Sequence, residues 1–228
     1  MLAFMRSVIV AVLAFTFAVP ALGQLADITQ REALAGLRTA LERGAQAAVA
    51  ALGRTDGFLG NPQVRIPLPD SLTRAEKLAR RMGYAEQVDE LVVAMNRAAE
   101  AAVPEGRNLL IDAVRRMSAQ DAKAILTGGD TAGTAYFRKT SDAALRARFL
   151  PIVKDATAKV GVAQYYREFA RPAAALGLVK TDHADLDDYV TRKTLDGLYF
   201  MLGEEEKKVR ADPVGTGSAI LRKVFGAL

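Results

Sequence analysis

Apolar residues recur at steps of three and four along most of this chain, and this spacing constrains its fold more than any other feature. The stripe in residues 26–52 consists of Leu34, Leu37, Leu41, Ala45, Ala48, Val49 and Leu52. A comparable stripe in residues 84–103 consists of Val88, Leu91, Val92, Met95, Ala98, Ala99 and Ala102. Because an α-helix turns once about every 3.6 residues, each stripe falls on one helix face. The pattern predicts an all-α protein whose amphipathic helices bury their apolar faces against each other.

Capping residues and a proline predict where several helices begin and end. Ser118–Asp121 has the spacing of a capping box, and Asp130 and Ser141 are each predicted to begin a further helix. Pro151 is predicted to kink or split the helix that begins at Ser141. Later helices are predicted at residues 162–176, 186–209 and 218–225. We expect a single-domain bundle of about eight helices over residues 24–228.

One short extended segment interrupts the helical pattern near residues 64–69. Apolar residues alternate there with an arginine and two prolines, and the prolines exclude a central strand position. We expect a lone extended segment, at most an edge ribbon, that lies against the helices. A helix is predicted to follow from Asp70 or Ser71 to Met82, with Gly83 at its C-terminal end.

Residues 1–23 have the layout of a secretory signal peptide. Arg6 supplies a positive charge, residues 7–19 are almost entirely apolar, and Pro20 ends the run. Small residues then precede a predicted cleavage site after Gly23. The apolar run is shorter than the roughly 20 residues that a membrane span needs, although a retained anchor helix is the alternative interpretation. We expect a soluble periplasmic or secreted protein with no stable membrane anchor after cleavage.

The chain contains no cysteine and a single histidine. The absence of cysteine excludes disulfides, thiolate catalysis and thiolate metal sites, and one imidazole is too few for a histidine-rich zinc site. His183 stands near Asp185, Asp187 and Asp188, but their spacing matches no metal motif and is typical of the acidic start of a helix. We therefore expect neither a metal nor a cofactor.

The charge pattern argues against a nucleic-acid partner. The formal net charge is +5, and the 31 Lys and Arg residues are spread along the chain among 26 Asp and Glu residues. A nucleic-acid groove concentrates basic residues on one surface, and this sequence has no basic block. Weak attraction to an anionic lipid surface is compatible with the charge.

Polar residues on the predicted helices form a candidate ligand site. Its members lie within a helical turn of another polar residue or beside apolar positions of a helix. They are Asn96, Arg97, Glu100, Tyr136, Arg138, Lys139, Tyr189 and Lys193, and the same polar set includes Asp112 and Asp196. Asp130 completes the set from a glycine-rich loop that lacks the sequence of a nucleotide-binding P-loop. One interpretation is a cleft that binds an anionic or amphipathic ligand through Arg97, Arg138 or Lys193. The alternative is a set of hydrogen bonds and ion pairs that fixes how the helices pack.

Five segments resemble a bacterial exported family known as domain of unknown function 4197. They are GRTDGFLGNPQVRIPLPDSL, MNRAAE, ILTGGDTAGTAYFRKT, FLPIV and YVTRKTLDGLYFMLGEEEKKVR. The resemblance extends from about residue 34 to residue 225. It implies an exported helical protein, lipid-anchored or periplasmic, with no settled activity and no catalytic residues to carry over. This chain lacks the cysteine of the lipid-anchored members, which argues against a lipid tether.

Three functions remain open from the sequence. The preferred one is non-enzymatic binding of a small amphipathic or anionic ligand, or of an envelope protein partner, between helices. The second is a structural or assembly factor of the cell envelope that docks through the apolar segment 214–228. The third is a hydrolase or lyase in which Glu100 with Asp112, or Asp130 with Tyr136, supplies acid and base. No motif specifies a reaction.

Overall fold

The part of the chain that the structure describes is helical. The computed structural model describes residues 30–159 and 186–212. Their α-helices are α1 (Gln30–Leu52), α2 (Thr73–Arg81), α3 (Ala85–Ala102), α4 (Arg107–Arg115), α5 (Ala119–Leu126), α6 (Ala132–Lys159) and α7 (Leu186–Ala211). Two 3₁₀ segments, Asp70–Leu72 and Val103–Gly106, precede α2 and α4. No strand occurs in these residues, so the all-α prediction is confirmed.

Several sequence predictions concern residues outside the described ones. These are the leader at residues 1–23, the helices at 162–176 and 218–225, and His183 with Asp185. Within the described ranges, seven α-helices are present against the expected total of about eight.

The long helices α6 and α7 pack along each other at the centre of the bundle. Helix α1 packs mainly on α7, helix α3 packs on α6 and α7, and the short α4 joins α1 to α6. Their shared core includes completely buried aromatic and aliphatic side chains: Leu52, Phe58, Met95, Leu110, Phe149 and Leu198. Burial of side chains of this size supplies most of the driving force for folding.

The predicted helix start at Ser141 is wrong, because α6 runs unbroken from Ala132 to Lys159 and passes through Pro151. Ser141 is buried inside the helix and does not cap one. Pro151 removes one helical hydrogen bond, but its neighbours Phe149 and Val153 are completely buried in the core. Tertiary packing therefore holds the helix together across the proline.

The start of α6 also differs from the prediction that Asp130 begins a helix there. The carboxylate of Glu206 on α7 accepts the N–H groups of Gly133 and Thr134, each at 2.8 Å, and the hydroxyl of Thr134 at 2.9 Å. The capping function thus comes from a distant helix. At the start of α5, in contrast, the predicted capping box of Ser118 and Asp121 is present with both of its hydrogen bonds.

The predicted helix from residue 70 or 71 to residue 82 exists as a 3₁₀ segment followed by α2. Gly83 follows α2 with φ of 91°, the left-handed conformation predicted for a glycine at a helix end.

None of the described helices is both long enough and apolar enough to cross a bilayer.

Candidate functional site

The predicted ligand-site residues separate into two groups in the structure. One group, on α3, holds the irregular segment of residues 53–69. The other group lines an open cleft formed by α4, α5 and α6. The first group is hydrogen-bonded within the chain, whereas the second consists of Tyr136, which donates to the carbonyl of Ala113, and Lys139, which forms no ion pair within the described residues.

Asn96 binds the extended segment as a neighbouring strand would. Its side-chain oxygen accepts the N–H of Ile66 at 2.8 Å, and its side-chain nitrogen donates to the carbonyl of Ile66 at 2.9 Å. The same nitrogen donates to the carbonyl of Val92 at 2.8 Å. Asn96 and Ile66 are both buried, so the amide replaces the strand partner that residues 65–69 lack. The predicted edge ribbon is therefore an irregular segment paired to a side chain.

Glu100 holds the other half of this segment. One carboxylate oxygen accepts the N–H groups of Phe58 and Leu59 at 3.0 and 3.1 Å. The second oxygen accepts from Arg97 at 2.6 Å, and Arg97 also donates to Asp56 at 2.8 Å. We call Asn96, Arg97 and Glu100 the α3 clamp. The side chains of all three residues form hydrogen bonds within this chain, as the packing interpretation predicts.

Tyr189, Lys193 and Arg138 also make structural contacts. The phenol of Tyr189 donates to the carbonyl of Pro67 at 3.0 Å, and Lys193 lies 5.9 Å from the centre of the Tyr189 ring. The guanidinium of Arg138 lies 4.3 Å above the ring of Tyr199. These side chains join α6 and α7 to each other and to the extended segment.

Tyr136 and Lys139 line an open cleft of about 570 Å³ that we call the α4–α6 cleft. Its polar lining consists of Tyr136, Lys139 and Thr140 from α6, Asp121 from α5, and Arg116, which directly follows α4. Its apolar lining consists of Ala113, Ala124, Ile125, Ala132 and Ala135. The cleft thus combines an apolar wall with a few polar groups, as ligand sites commonly do.

Local contacts fix the protonation states in this cleft. The phenol of Tyr136 donates to the carbonyl of Ala113 at 2.8 Å, and burial raises the pKa of Tyr136 above its usual value. Tyr136 is therefore a neutral donor near neutral pH. Asp121 accepts hydrogen bonds from the hydroxyl and N–H of Ser118, and these bonds lower the pKa of its carboxyl. Asp121 is consequently an anion there.

Arg116 and Lys139 are the cations of the α4–α6 cleft. Both side chains are exposed, and neither forms an ion pair with any residue of the described ranges. Other arginines of that part of the chain have a carboxylate partner, as Arg97 and Arg210 do. The cleft therefore has cationic side chains available to an external anion.

The structure does not bring the two groups of predicted residues together. Asn96, Arg97 and Glu100 are absent from the lining of the α4–α6 cleft. Sequence reasoning missed Arg116, Asp121 and Thr140 as cleft residues. The basic end of α4 was a local signal for Arg116, but only the packing of α4 against α6 places it opposite Lys139.

Glu100 and Asp112, one of the acid–base pairs considered from the sequence, are each engaged by other residues of the chain. Glu100 is occupied by two backbone N–H groups and by Arg97. Asp112 is paired with Arg115 at 3.4 Å on the surface.

The carboxylates considered near His183 as metal ligands have partners in the chain. Asp187 accepts the hydroxyl of Thr157 at 2.7 Å, and Asp188 pairs with Arg146 and Arg192. No group of three or more potential metal ligands occurs among residues 30–159 and 186–212.

Comparison with known proteins finds one family. The model of the family described as Protein of unknown function (DUF4197) matches residues 27–226, which is most of the chain and includes the α3 clamp and the α4–α6 cleft. This confirms the resemblance seen in the five sequence segments. No curated protein and no solved structure matches the chain.

Proposed function

This chain belongs to the DUF4197 family of proteins of unknown function, and we propose that it binds the anionic end of a small amphipathic molecule in the α4–α6 cleft. The observation that carries the proposal is the pair Arg116 and Lys139 beside an apolar wall, with no ion-pair partner in the described part of the chain. Cations that a protein does not pair internally are available to a ligand carboxylate.

The charge of the cleft favours a ligand with a single negative charge. Arg116 and Lys139 contribute two positive charges, and Asp121 contributes one negative charge. The Asp121 carboxylate already accepts a hydrogen bond from the hydroxyl of Ser118. A carboxylate of modest size satisfies this balance without leaving a second charge unpaired.

The wall of the cleft favours an apolar tail on the same ligand. Ala113, Ala124, Ile125, Ala132 and Ala135 have short or aliphatic side chains that leave room in front of the wall. Burial of apolar surface contributes about 25 cal/mol per Å², so an alkyl chain gains from contact with this wall. The volume of about 570 Å³ lies within the range usual for small-molecule sites.

The proposal is tested by titration with dodecanoate and with dodecyltrimethylammonium, which share a tail and differ in head charge. We expect dodecanoate to bind and the cationic amphiphile to bind much more weakly. Replacing Arg116→Gln together with Lys139→Gln should weaken dodecanoate by about tenfold or more, because hydrogen bonds between charged groups are strong.

Lys77→Gln with Arg81→Gln is the matched control, since it removes the same two residue types from exposed positions on α2. The control should change affinity by about twofold or less, because exposed distant charges are screened. Equal binding of both amphiphiles, or equal losses in the two double variants, would contradict a site in the cleft.

We also propose that the chain is exported to the periplasm or secreted. The support is the signal-peptide layout of residues 1–23, which lie outside the described residues. Expression with a C-terminal tag in a bacterium with two membranes should give a periplasmic protein that begins at Gln24. A full-length protein recovered from the cytoplasm or the membrane would contradict export.

A further inference from the structure

A second cleft lies at the start of α4, where the C-terminal end of α1 meets the 3₁₀ segment before α4. It has a volume of about 440 Å³ and is lined by Gln46, Val49, Ala50, Arg54, Pro104 and Arg107, together with Gly53. We call it the α1–α4 cleft. No carboxylate is among its lining residues, whereas Asp121 lines the α4–α6 cleft.

Close packing between Gly53 and Pro104 places the two arginines at one cleft. The N–H of Gly53 ends α1 by donating to the carbonyl of Val49 at 2.8 Å. A Cβ atom at position 53 would lie 2.7 Å from the Cγ atom of Pro104, so only glycine allows this approach. The approach brings Arg54, which follows α1, beside Arg107, which begins α4.

The acidic residues nearest in sequence to these arginines are engaged elsewhere. Asp56 pairs with Arg97 of the α3 clamp at 2.8 Å, and Glu105 pairs with Arg148 on α6 at 2.5 Å. Arg54 and Arg107 form no ion pair or hydrogen bond through their side chains within residues 30–159 and 186–212. Both are exposed. Two guanidinium groups therefore face a cleft that offers them no counter-charge.

We propose that the α1–α4 cleft binds a phosphate group through Arg54 and Arg107. A phosphate monoester carries close to two negative charges at neutral pH, which matches two arginines and no carboxylate. Guanidinium groups bind phosphate oxygens with paired hydrogen bonds, and the side-chain amide of Gln46 offers a further donor. Val49 and Pro104 also line the cleft, and their apolar side chains exclude water from one side of the anion.

The phosphate could be carried by a soluble molecule or by a lipid headgroup, and the chemistry of recognition is the same. Two probes separate these sources. Inorganic pyrophosphate, followed by calorimetric titration, reports binding of a soluble phosphate. Phosphatidylcholine vesicles with and without phosphatidic acid, followed by co-sedimentation, report binding of a lipid phosphate.

The test variant is the full chain with Arg54→Gln and Arg107→Gln. We expect it to bind whichever probe the native chain binds about tenfold more weakly or worse, because it loses two charge-assisted contacts. The control variant, Arg74→Gln with Arg81→Gln, removes the same charge from exposed positions on α2. It should lose about twofold or less, since screening limits the effect of distant charges.

Each outcome decides the proposal. A selective loss with pyrophosphate supports the site and a soluble ligand, and a selective loss with phosphatidic acid vesicles alone supports the site and a lipid. Binding that survives the test variant, or that falls equally in both variants, contradicts the site. So does the absence of binding to both probes. Because the test residues lie outside the α4–α6 cleft, dodecanoate binding should be unchanged in the test variant whatever the result.

Discussion

The α3 clamp and the α4–α6 cleft use similar side chains in opposite ways. In the clamp, Asn96 and Glu100 are buried at 0% and 5% exposure and hold backbone groups of residues 53–69. In the cleft, the side chains of Arg116 and Lys139 are exposed and form no ion pair with any residue of the described ranges. An irregular segment that crosses the core has backbone N–H and carbonyl groups that water cannot reach, and these must find partners. The polar side chains nearest to such a segment therefore become structural.

This comparison gives a rule for separating structural from available polar groups in a helical bundle. A polar helix residue opposite an irregular segment stabilises that segment, and removing it exposes unpaired groups in the core. A polar residue that faces another helix across an open cleft meets backbone groups that are already paired. Its removal changes binding and leaves stability nearly the same. The predictions below test each side of this rule.

The largest expected effect is that of Glu100→Ala. The variant loses the acceptor of the Phe58 and Leu59 N–H groups and the partner of Arg97. Arg97 is 38% exposed and keeps Asp56 as a partner, so the main loss is the acceptor of the two backbone N–H groups. At about 1–3 kcal/mol for each unsatisfied group, we expect the free energy of unfolding to fall by about 3–5 kcal/mol. Urea denaturation followed by circular dichroism measures it.

Glu105→Ala is the control for Glu100→Ala, because Glu105 is exposed and its ion pair with Arg148 lies on the surface. Surface ion pairs contribute about 0–1 kcal/mol. A loss for Glu100→Ala no larger than that of the control would break the rule, since the clamp would then be dispensable for folding.

Asn96→Leu should have the next largest effect. Leucine has the same number of side-chain heavy atoms as asparagine in the same branched arrangement, so the change removes the hydrogen bonds to Ile66 and keeps most of the packing. Two buried backbone groups lose their partners, which we expect to lower the free energy of unfolding by about 2–4 kcal/mol. Hydrogen exchange should show faster exchange of the Ile66 N–H, and unchanged protection at this position would contradict the strand-like pairing.

Local sequence signals predicted the parts of the fold that depend on local interactions. The capping box at Ser118 and Asp121 and the left-handed Gly83 are set by residues within one helical turn. At Ser141 the local signal predicted the wrong result, and α6 is not split at Pro151, because buried core contacts of α6 are stronger than a cap or one lost hydrogen bond. The N-terminal partner of α6, Glu206, comes from a helix more than seventy residues away in sequence.

The candidate site was predictable only in part for the same reason. Tyr136 and Lys139 were among the candidate ligand-site residues, and both line the α4–α6 cleft in the structure. Arg116 joins them only through the packing of α4 on α6, which helical periodicity does not encode. Asn96 and Glu100 have the same polar character in sequence, and their partners in residues 53–69 are set by tertiary structure.

Ala135→Leu tests the cleft from its apolar side. Ala135 is exposed and lines the α4–α6 cleft, so a leucine there occupies ligand space without disturbing the core. Surface changes of this kind usually alter stability by about 0.5 kcal/mol or less. We expect thermal denaturation to be nearly unchanged while dodecanoate binding is lost. Ala143→Leu, at another exposed position of α6, should leave both unchanged. Binding retained in Ala135→Leu would place the ligand elsewhere.

The smallest expected effect is that of Asp121→Asn on the pH dependence of stability. The hydrogen bonds from Ser118 lower the pKa of the Asp121 carboxyl in the folded chain, so the unfolded chain binds the proton more readily. The capping box therefore contributes its full stability above the unfolded carboxyl pKa of about 4 and loses it as the pH falls through the lower folded pKa. The native chain should lose melting temperature in that acidic window slightly more steeply than Asp121→Asn. Because Asp121 also lines the α4–α6 cleft, its neutral replacement should strengthen dodecanoate binding slightly. A weaker affinity would show that the carboxylate assists the ligand and would reverse the charge argument for this cleft.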